Sequence, residues 1–419
     1  MLKAVLIKSY KNGFFHLLSA NAFIQLVAFA SQLFVAGILS PDDIGRIKII
    51  QTYLAIFSVL ASLGFNSSTL KFCSENRPKE EQISLFKSAL FLTLISSVTL
   101  YFILVILNKL HIFSIDKVFI ILFPIGIFPI ITSSIFLIFI AYFQATGKIK
   151  LLSKHTTLNK LLSISAIIAF TYWIGIKGYY YAYNISSIFI ILFCLWEFRA
   201  ILKTRNSLKK MGDDFFILWP YAIKSMISLI ISESSAFIDI ILISFFIPDL
   251  KEIGYYGFAL TMIVIFRLIP STVQQITIPY FSNIGTDKIS HKSLYEKYNK
   301  TTTFLIFGTL ILALLFVPIF THHIFNSKYD KSMSYFPFLA IGWSFRVLSV
   351  FPNGVIFAIG KVKYNINTSI ITLAFNTISL IIALHFYGLI GAAIVSIPTG
   401  IVNFISSQYF YKKSYSETF

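Results

Sequence analysis

Long runs of uninterrupted apolar residues decide what this chain can become. "LFLTLISSVTLYFILVIL" occupies positions 90 to 107 and "FLIFGTLILALLFVPIF" positions 304 to 320. One helical crossing of a bilayer needs about 20 predominantly apolar residues. Only a helix or a closed barrel can satisfy its backbone polar groups in hydrocarbon. Barrel strands alternate apolar and polar residues over about ten positions, and these runs do not. Of 419 residues, 57% are apolar and 12% charged, with mean hydropathy +0.79, whereas soluble domains are about one quarter charged. The chain therefore reads as an all-α polytopic membrane protein.

The runs predict twelve helices, at about 15–38, 44–64, 85–107, 118–144, 152–174, 178–198, 217–247, 254–280, 301–322, 333–358, 365–385 and 389–411. The polar connections 199–216 and 281–300 read as short loops, and no segment reads as a separate soluble domain. Cys73 and Cys194 alone make neither a disulfide framework nor a metal cluster. The "ANA" at 20–22 resembles a signal-peptidase site, but hydrophobicity continues beyond it, so the segment reads as an uncleaved first helix.

A net charge of +18 from 35 Lys and Arg against 17 Asp and Glu raises the question of a polyanionic partner. Placed on the twelve helices, 24 of the cations fall on the side of the N-terminus, including Lys148, Lys150, Lys154 and Lys160, while 8 fall on the other and 3 within helices. Positive residues are retained in the cytoplasm, so both termini are expected there. Nucleic acid is not an expected partner, because the charge is spread over seven short loops rather than gathered on one face. Anionic lipid headgroups are, as is usual for juxtamembrane lysines.

Three short motifs recur. "SPDDIG" reads as ending the first helix at Gly45 and "IPDLKEIG" the seventh at Gly254, 209 residues later; "ATGK" at 145–148 and "GIKG" at 175–178 return as "AIGK" and "GLIG" 213 residues on. Three recurrences in order argue for two six-helix halves: 1–198, a basic cytoplasmic linker at 199–216, and 217–419. An even helix number per half makes the repeats parallel, with a substrate site between them near midplane.

A few charges fall where hydrocarbon is expected. Glu233 and Asp239 lie in "SESSAFIDIILIS", Arg267 in "MIVIFRLIPS" and Arg346 in "AIGWSFRVLS". A charge at midplane costs about 2.5 kcal/mol or more, so such residues face water or one another. They pair to lock helices, or they line a cavity in which arginines receive an anionic head group and carboxylates balance them. The second reading is carried forward, since a guanidinium offers phosphate two parallel donors. Lys224, near Trp219 and Tyr221, either snorkels to the interface or meets substrate. Lys71 is either a solvated loop residue or a contact for incoming phosphate. Asn21, Gln25 and Gln32 offer hydrogen bonds to a polar cargo or to neighbouring helices.

No catalytic constellation, cofactor or metal site is expected. The seven histidines show no metal spacing, and His322 and His323 read as outer-loop residues. The "GK" pairs lack the rest of a phosphate loop. Asp213 and Asp214 read as a solvated pair in a cytoplasmic loop.

"AGILSPDDIGRIKIIQTYLAIFSVLASLGFNSSTLKF" (36–72) resembles the opening of Wzx-type polysaccharide flippases, and "YFQATGKIKLLS", "FIDIILISFFIPDLKEIGYYGFA" and "GLIGAAIVSI" are similar to later landmarks of that family. The likeness spans the chain. It implies the multidrug/oligosaccharidyl-lipid/polysaccharide exporter superfamily: twelve helices in two bundles around a central cavity that opens alternately to each side. It implies as cargo an undecaprenyl-pyrophosphate-linked oligosaccharide, such as an O-antigen unit of lipopolysaccharide, moved from the inner to the outer leaflet of the bacterial inner membrane. Proton or sodium would be the coupling ion. Asp239 and Arg267 match positions of cavity charges in the family. The first-helix arginines of related lipid II flippases are absent, which argues against peptidoglycan precursors as cargo. A multidrug antiporter, or a membrane-embedded polymerase or acyltransferase, stands as the alternative.

Overall fold

The computed structural model describes residues 14–202, 208–264 and 288–417, and every regular element among them is helical. In chain order these are α1 (Phe14–Ile38), α2 (Pro41–Ser62), α3 (Phe65–Ser74), α4 (Lys79–Lys109), α5 (Lys117–Ile127), α6 (Pro129–Ala145), α7 (Ile149–Ile174) and α8 (Ile176–Glu197). After the single turn α9 (Arg199–Leu202) come α10 (Leu208–Phe246), α11 (Leu250–Val264), α12 (Lys288–Ile324), α13 (Ser332–Leu348), α14 (Val350–Ala358) and α15 (Lys363–Ser416).

Nine of the described helical segments are long and apolar enough to cross a membrane, with α5 and α6 forming one such segment and α13 and α14 another. The 54-residue α15 would run about 80 Å at helical rise, enough for two crossings. It turns at Gly388, whose φ of 59° and ψ of −144° no side-chain-bearing residue adopts cheaply. With α15 counted twice and α1 added, eleven of the predicted twelve are accounted for; α11 covers the start of the predicted 254–280, and the rest of that segment lies outside the described residues.

The recurrent motifs have matching backbones. Gly175 ends α7 with φ 66° and ψ −143°, nearly the conformation of Gly388, its counterpart 213 residues later. Gly45 and Gly254 do not end helices, as the sequence suggested. They lie in the first turns of α2 and α11, because Pro41 fixes the opening φ of α2 and Asp42, Asp43 and Glu252 complement the helix dipoles. A Cβ on Gly45 would sit 2.2 Å from the Leu250 carbonyl oxygen, and one on Gly254 1.8 Å from that of Pro41. The two backbones touch there.

In three segments expected as loops, described residues are helical. Residues 65–74 form α3, α10 begins at 208 and α12 at 288. Asp214 is accordingly buried in α10, 4% exposed, and accepts hydrogen bonds from Ser84 Oγ at 2.8 Å and Ser88 Oγ at 2.6 Å. Its partner Asp213 is exposed. His322 and His323 belong to the last turn of α12, where His322 Nδ1 lies 2.9 Å from Asp330 Oδ2.

By contacts the chain divides into residues 46–245 and residues 1–45 with 246–419. The first unit is cored by Phe86, Phe139, Tyr142, Phe143 and Phe198, with Phe86 stacked on Tyr142 at 4.2 Å between centroids. α10 joins it through Asp214 and through Phe215 and Trp219 against Phe65. In the second unit Phe258 stacks on Tyr329 at 3.9 Å. The Tyr329 hydroxyl donates to the Ala36 carbonyl at 3.0 Å, and Lys328 Nζ donates to the carbonyls of Ala36, Gly37 and Leu39. These bonds cap the C-terminus of α1 and hold that helix to the later part of the chain. Relative to the halves 1–198 and 217–419 read from the repeats, the contact units exchange the helices α1 and α10.

Candidate functional site

Within the unit 46–245, four helices present small polar side chains to a shared groove. On α8, Tyr179, Tyr183 and Ser187 recur every fourth residue and so form one stripe. On α2, Gln51, Ala55 and Ser58 do the same at spacings of four and three. α6 adds Thr132 and Ser133, and α7 adds Asn159, Lys160 and Ser163. The stripes enclose two cavities of about 290 and 310 Å³ that both border Ser133 and Tyr183. Each is near the lower end of the roughly 300–1,000 Å³ typical of small-molecule sites.

The walls are held in place by hydrogen bonds. Gln51 Nε2 donates to the Tyr179 hydroxyl, the Tyr183 and Ser133 side chains are bonded to each other, and Asn184 Nδ2 donates to the Ile125 carbonyl at 2.9 Å. Among the described residues, no lining side chain is acidic. The one cation among the described lining residues is Lys160, exposed on α7 and about 16 Å along it from Ile149 at helical rise. Charge counting on the sequence had put Lys160 among the loop cations; the structure puts it about half-way through a membrane-spanning helix. The groove as a whole was missed. Its signal was the fourfold spacing Tyr179, Tyr183, Ser187, which in "YYYAYNISS" looks like the aromatic belt of a helix end.

The residues singled out from sequence fall into separate groups. Lys71 sits on α3 rather than in a loop, with its Nζ 4.4 Å from the centre of the Tyr221 ring and 5.0 Å from that of Phe72. Lys224 lies one turn along α10 from Tyr221 and is exposed, so the structure brings these two cations to one face of the unit 46–245. Glu233 and Asp239 are half-buried farther along α10, and each is engaged with another group. Gln25, half-buried, and Gln32, exposed, lie on α1; Asn21 lies on α1 as well. Arg267 lies outside the described residues.

Arg346, on α13, differs from all of these. Its Nε and Nη2 are buried and have no hydrogen-bond partner among the described residues. An ionised group left so inside a membrane-spanning segment is costly. It lies one turn from Gly342, where α13 touches Ser396 and Gly400 of α15 backbone to backbone. That close crossing is the packing expected of small residues between membrane helices.

With this geometry established, likeness to known proteins is informative. A capsular polysaccharide biosynthesis protein of Staphylococcus aureus, CapF, is 23% identical over 96% of this chain and 99% of its own length. The lipid II flippase MurJ in an inward closed conformation has the same fold at a TM-score of 0.78, with 16% identity, 96% of this chain and 89% of that one. An inward-facing multidrug transporter of the MATE family and MOP superfamily follows at 0.69, with 15% identity, 95% of this chain and all of that one. A multi-pass membrane protein with a transporter-type fold is thus shown. Residues 10–285, more than half of the chain, match the family described as polysaccharide biosynthesis protein, and to that family this chain belongs.

Proposed function

We propose that the protein is a flippase. Its cargo is a polyprenyl-pyrophosphate-linked oligosaccharide, a repeat unit of O-antigen, capsule or a related surface polysaccharide. It carries this by alternating access from the cytoplasmic to the outer leaflet of a bacterial inner membrane, with both termini cytoplasmic. The observation that carries this reading is Arg346, a guanidinium in a membrane-spanning helix whose Nε and Nη2 are buried without a partner among the described residues. Those two nitrogens are the edge that donates two parallel bonds to an acid group, and a pyrophosphate supplies such a group on a cargo that must leave water. Family membership and the names of CapF and MurJ support a lipid-linked glycan as the cargo.

Arg267 is assigned the same role from its place in "MIVIFRLIPS". Lys71 and Lys224 would meet the anion first on the cytoplasmic side, and Asn21 and Gln25 would offer hydrogen bonds to the glycan. Glu233 and Asp239 balance the arginines and exchange a proton or sodium ion as the carrier turns. No bond is made or broken, so no catalytic residue is called for.

The test places purified protein in liposomes with a fluorescent undecaprenyl-pyrophosphate oligosaccharide and follows how much glycan becomes accessible to an external hydrolase. Movement by wild type that falls at least tenfold in a folded Arg346→Ala protein supports the reading. Equal movement by both would make Arg346 a structural residue and end the arginine mechanism. No movement by wild type would end the assigned cargo.

A further inference from the structure

We infer that the groove among α2, α6, α7 and α8 is a sugar site that takes an acidic sugar, its ring against Tyr179 and Tyr183 and its anionic substituent on Lys160. The inference rests on the reading of the cargo as a glycan and adds where, and by which chemistry, one of its sugars is held.

A pyranose has a flat, largely apolar C–H face and a rim of hydroxyls that both donate and accept. The groove has matching parts. Tyr179 and Tyr183, four residues apart on α8, present rings that combine apolar surface with a polar tip. Gln51, Asn159 and Ser163 supply donors and acceptors with no net charge. Two cavities of about 290 and 310 Å³ meeting at Tyr183 offer room for consecutive small rings.

The charge then selects among sugars. Among the described residues Lys160 is the one cation in a wall without carboxylates, so it favours one negative charge and disfavours cationic cargo. An ammonium on a membrane-spanning helix, exposed at the groove rather than buried in the helix packing, gains from an anion brought to it. A carboxylate on the sugar and the pyrophosphate of the same cargo share this chemistry. One cation amid neutral donors fits the singly charged carboxylate better than a pyrophosphate carrying two or more charges.

Binding of free sugars to the full-length protein in nanodiscs separates these sources. The probes are a disaccharide of glucuronic acid and N-acetylglucosamine, its neutral counterpart with glucose in place of the acid, and inorganic pyrophosphate, each followed by saturation-transfer NMR and calorimetry. The acidic disaccharide is expected to bind at least tenfold tighter than the neutral one. Lys160→Gln should remove that preference while leaving the neutral probe unchanged, and Tyr183→Ala should weaken both. Equal binding of the two disaccharides, an undiminished preference in Lys160→Gln, displacement by pyrophosphate, or no binding of any probe would each overturn the assignment. These probes carry no lipid and need no translocation. A protein that binds the acid but moves nothing in liposomes would therefore keep the sugar site and lose the flippase reading; the converse result would do the reverse.

Discussion

Two arginines, one in each contact unit, show how differently the same side chain is treated. Arg46 of the unit 46–245 turns its Nε and Nη2 toward Asp116, at 2.9 and 3.1 Å from the two carboxylate oxygens. Asp116 also caps α5 by accepting from the Phe119 N–H at 2.6 Å. Arg346 of the other unit has the same two nitrogens buried without a partner among the described residues. A planar fork filled by the chain's own acid is architecture. The same fork without an acid among the described residues is, on the proposed reading, where the acid group of the cargo would sit.

Exchanging the partners breaks or sharpens this contrast. The largest stability loss is expected from Asp116→Ala, which strands Arg46 and uncaps α5. Removing one member of such a pair should cost about 3 kcal/mol, read as a lowered denaturation midpoint in detergent. Arg346→Met should instead cost less than about 1 kcal/mol, as expected where no partner is stranded, while abolishing transport; a loss as large as that of Asp116→Ala would erase the distinction.

Asp214→Ala comes next. It takes an acceptor from the hydroxyls of Ser84 and Ser88 and should cost about 2 kcal/mol, the penalty for stranding buried polar groups, by the same measurement. Acid should then act on the filled fork alone. Burial pushes the Asp116 carboxyl up, but the bonds from Arg46 and the Phe119 N–H outweigh it and hold it below its usual range. Its contribution is therefore complete above about pH 4, the ordinary value of an unfolded Asp, and is lost as pH falls through the lower folded value. Asp116→Asn should flatten that limb of a stability-against-pH curve, and an unchanged limb would remove the pair from the account. The smallest effect is expected from Lys328→Met, about 1 kcal/mol for a lost helix cap, seen as faster hydrogen exchange in the last turn of α1.

The fold was legible because hydrocarbon-length apolar runs without alternation leave the backbone one solution, and the repeated pair Gly175 and Gly388 marked where helices turn. α3 escaped because "FNSSTLKFCS" is too polar and short to announce a helix; it exists by packing Phe65 and Cys73 into the core of its unit. Asp214 escaped because a carboxylate beside basic residues looks solvated until Ser84 and Ser88 are found opposite. Arg346 was visible as a charge out of place, yet only the folded chain shows which of its nitrogens lack a partner among the described residues. The groove was the least legible part, since it is assembled from four helices that each contribute a few unremarkable residues.

The contact of Gly45 with Gly254 has a consequence for ancestry. The two glycines occupy equivalent places in the repeated motif and touch each other, and under two-fold symmetry a residue meets its own copy only at the axis. If the two motif-bearing halves descend from one half-length chain that paired with itself, this one position would have faced its twin. Any side chain gained there would have collided twice over, so a single gene could not escape glycine by changing one partner. Two fused copies would inherit the same restriction as two separate positions, each held, as Gly45 and Gly254 are here, by the backbone of the other's helix.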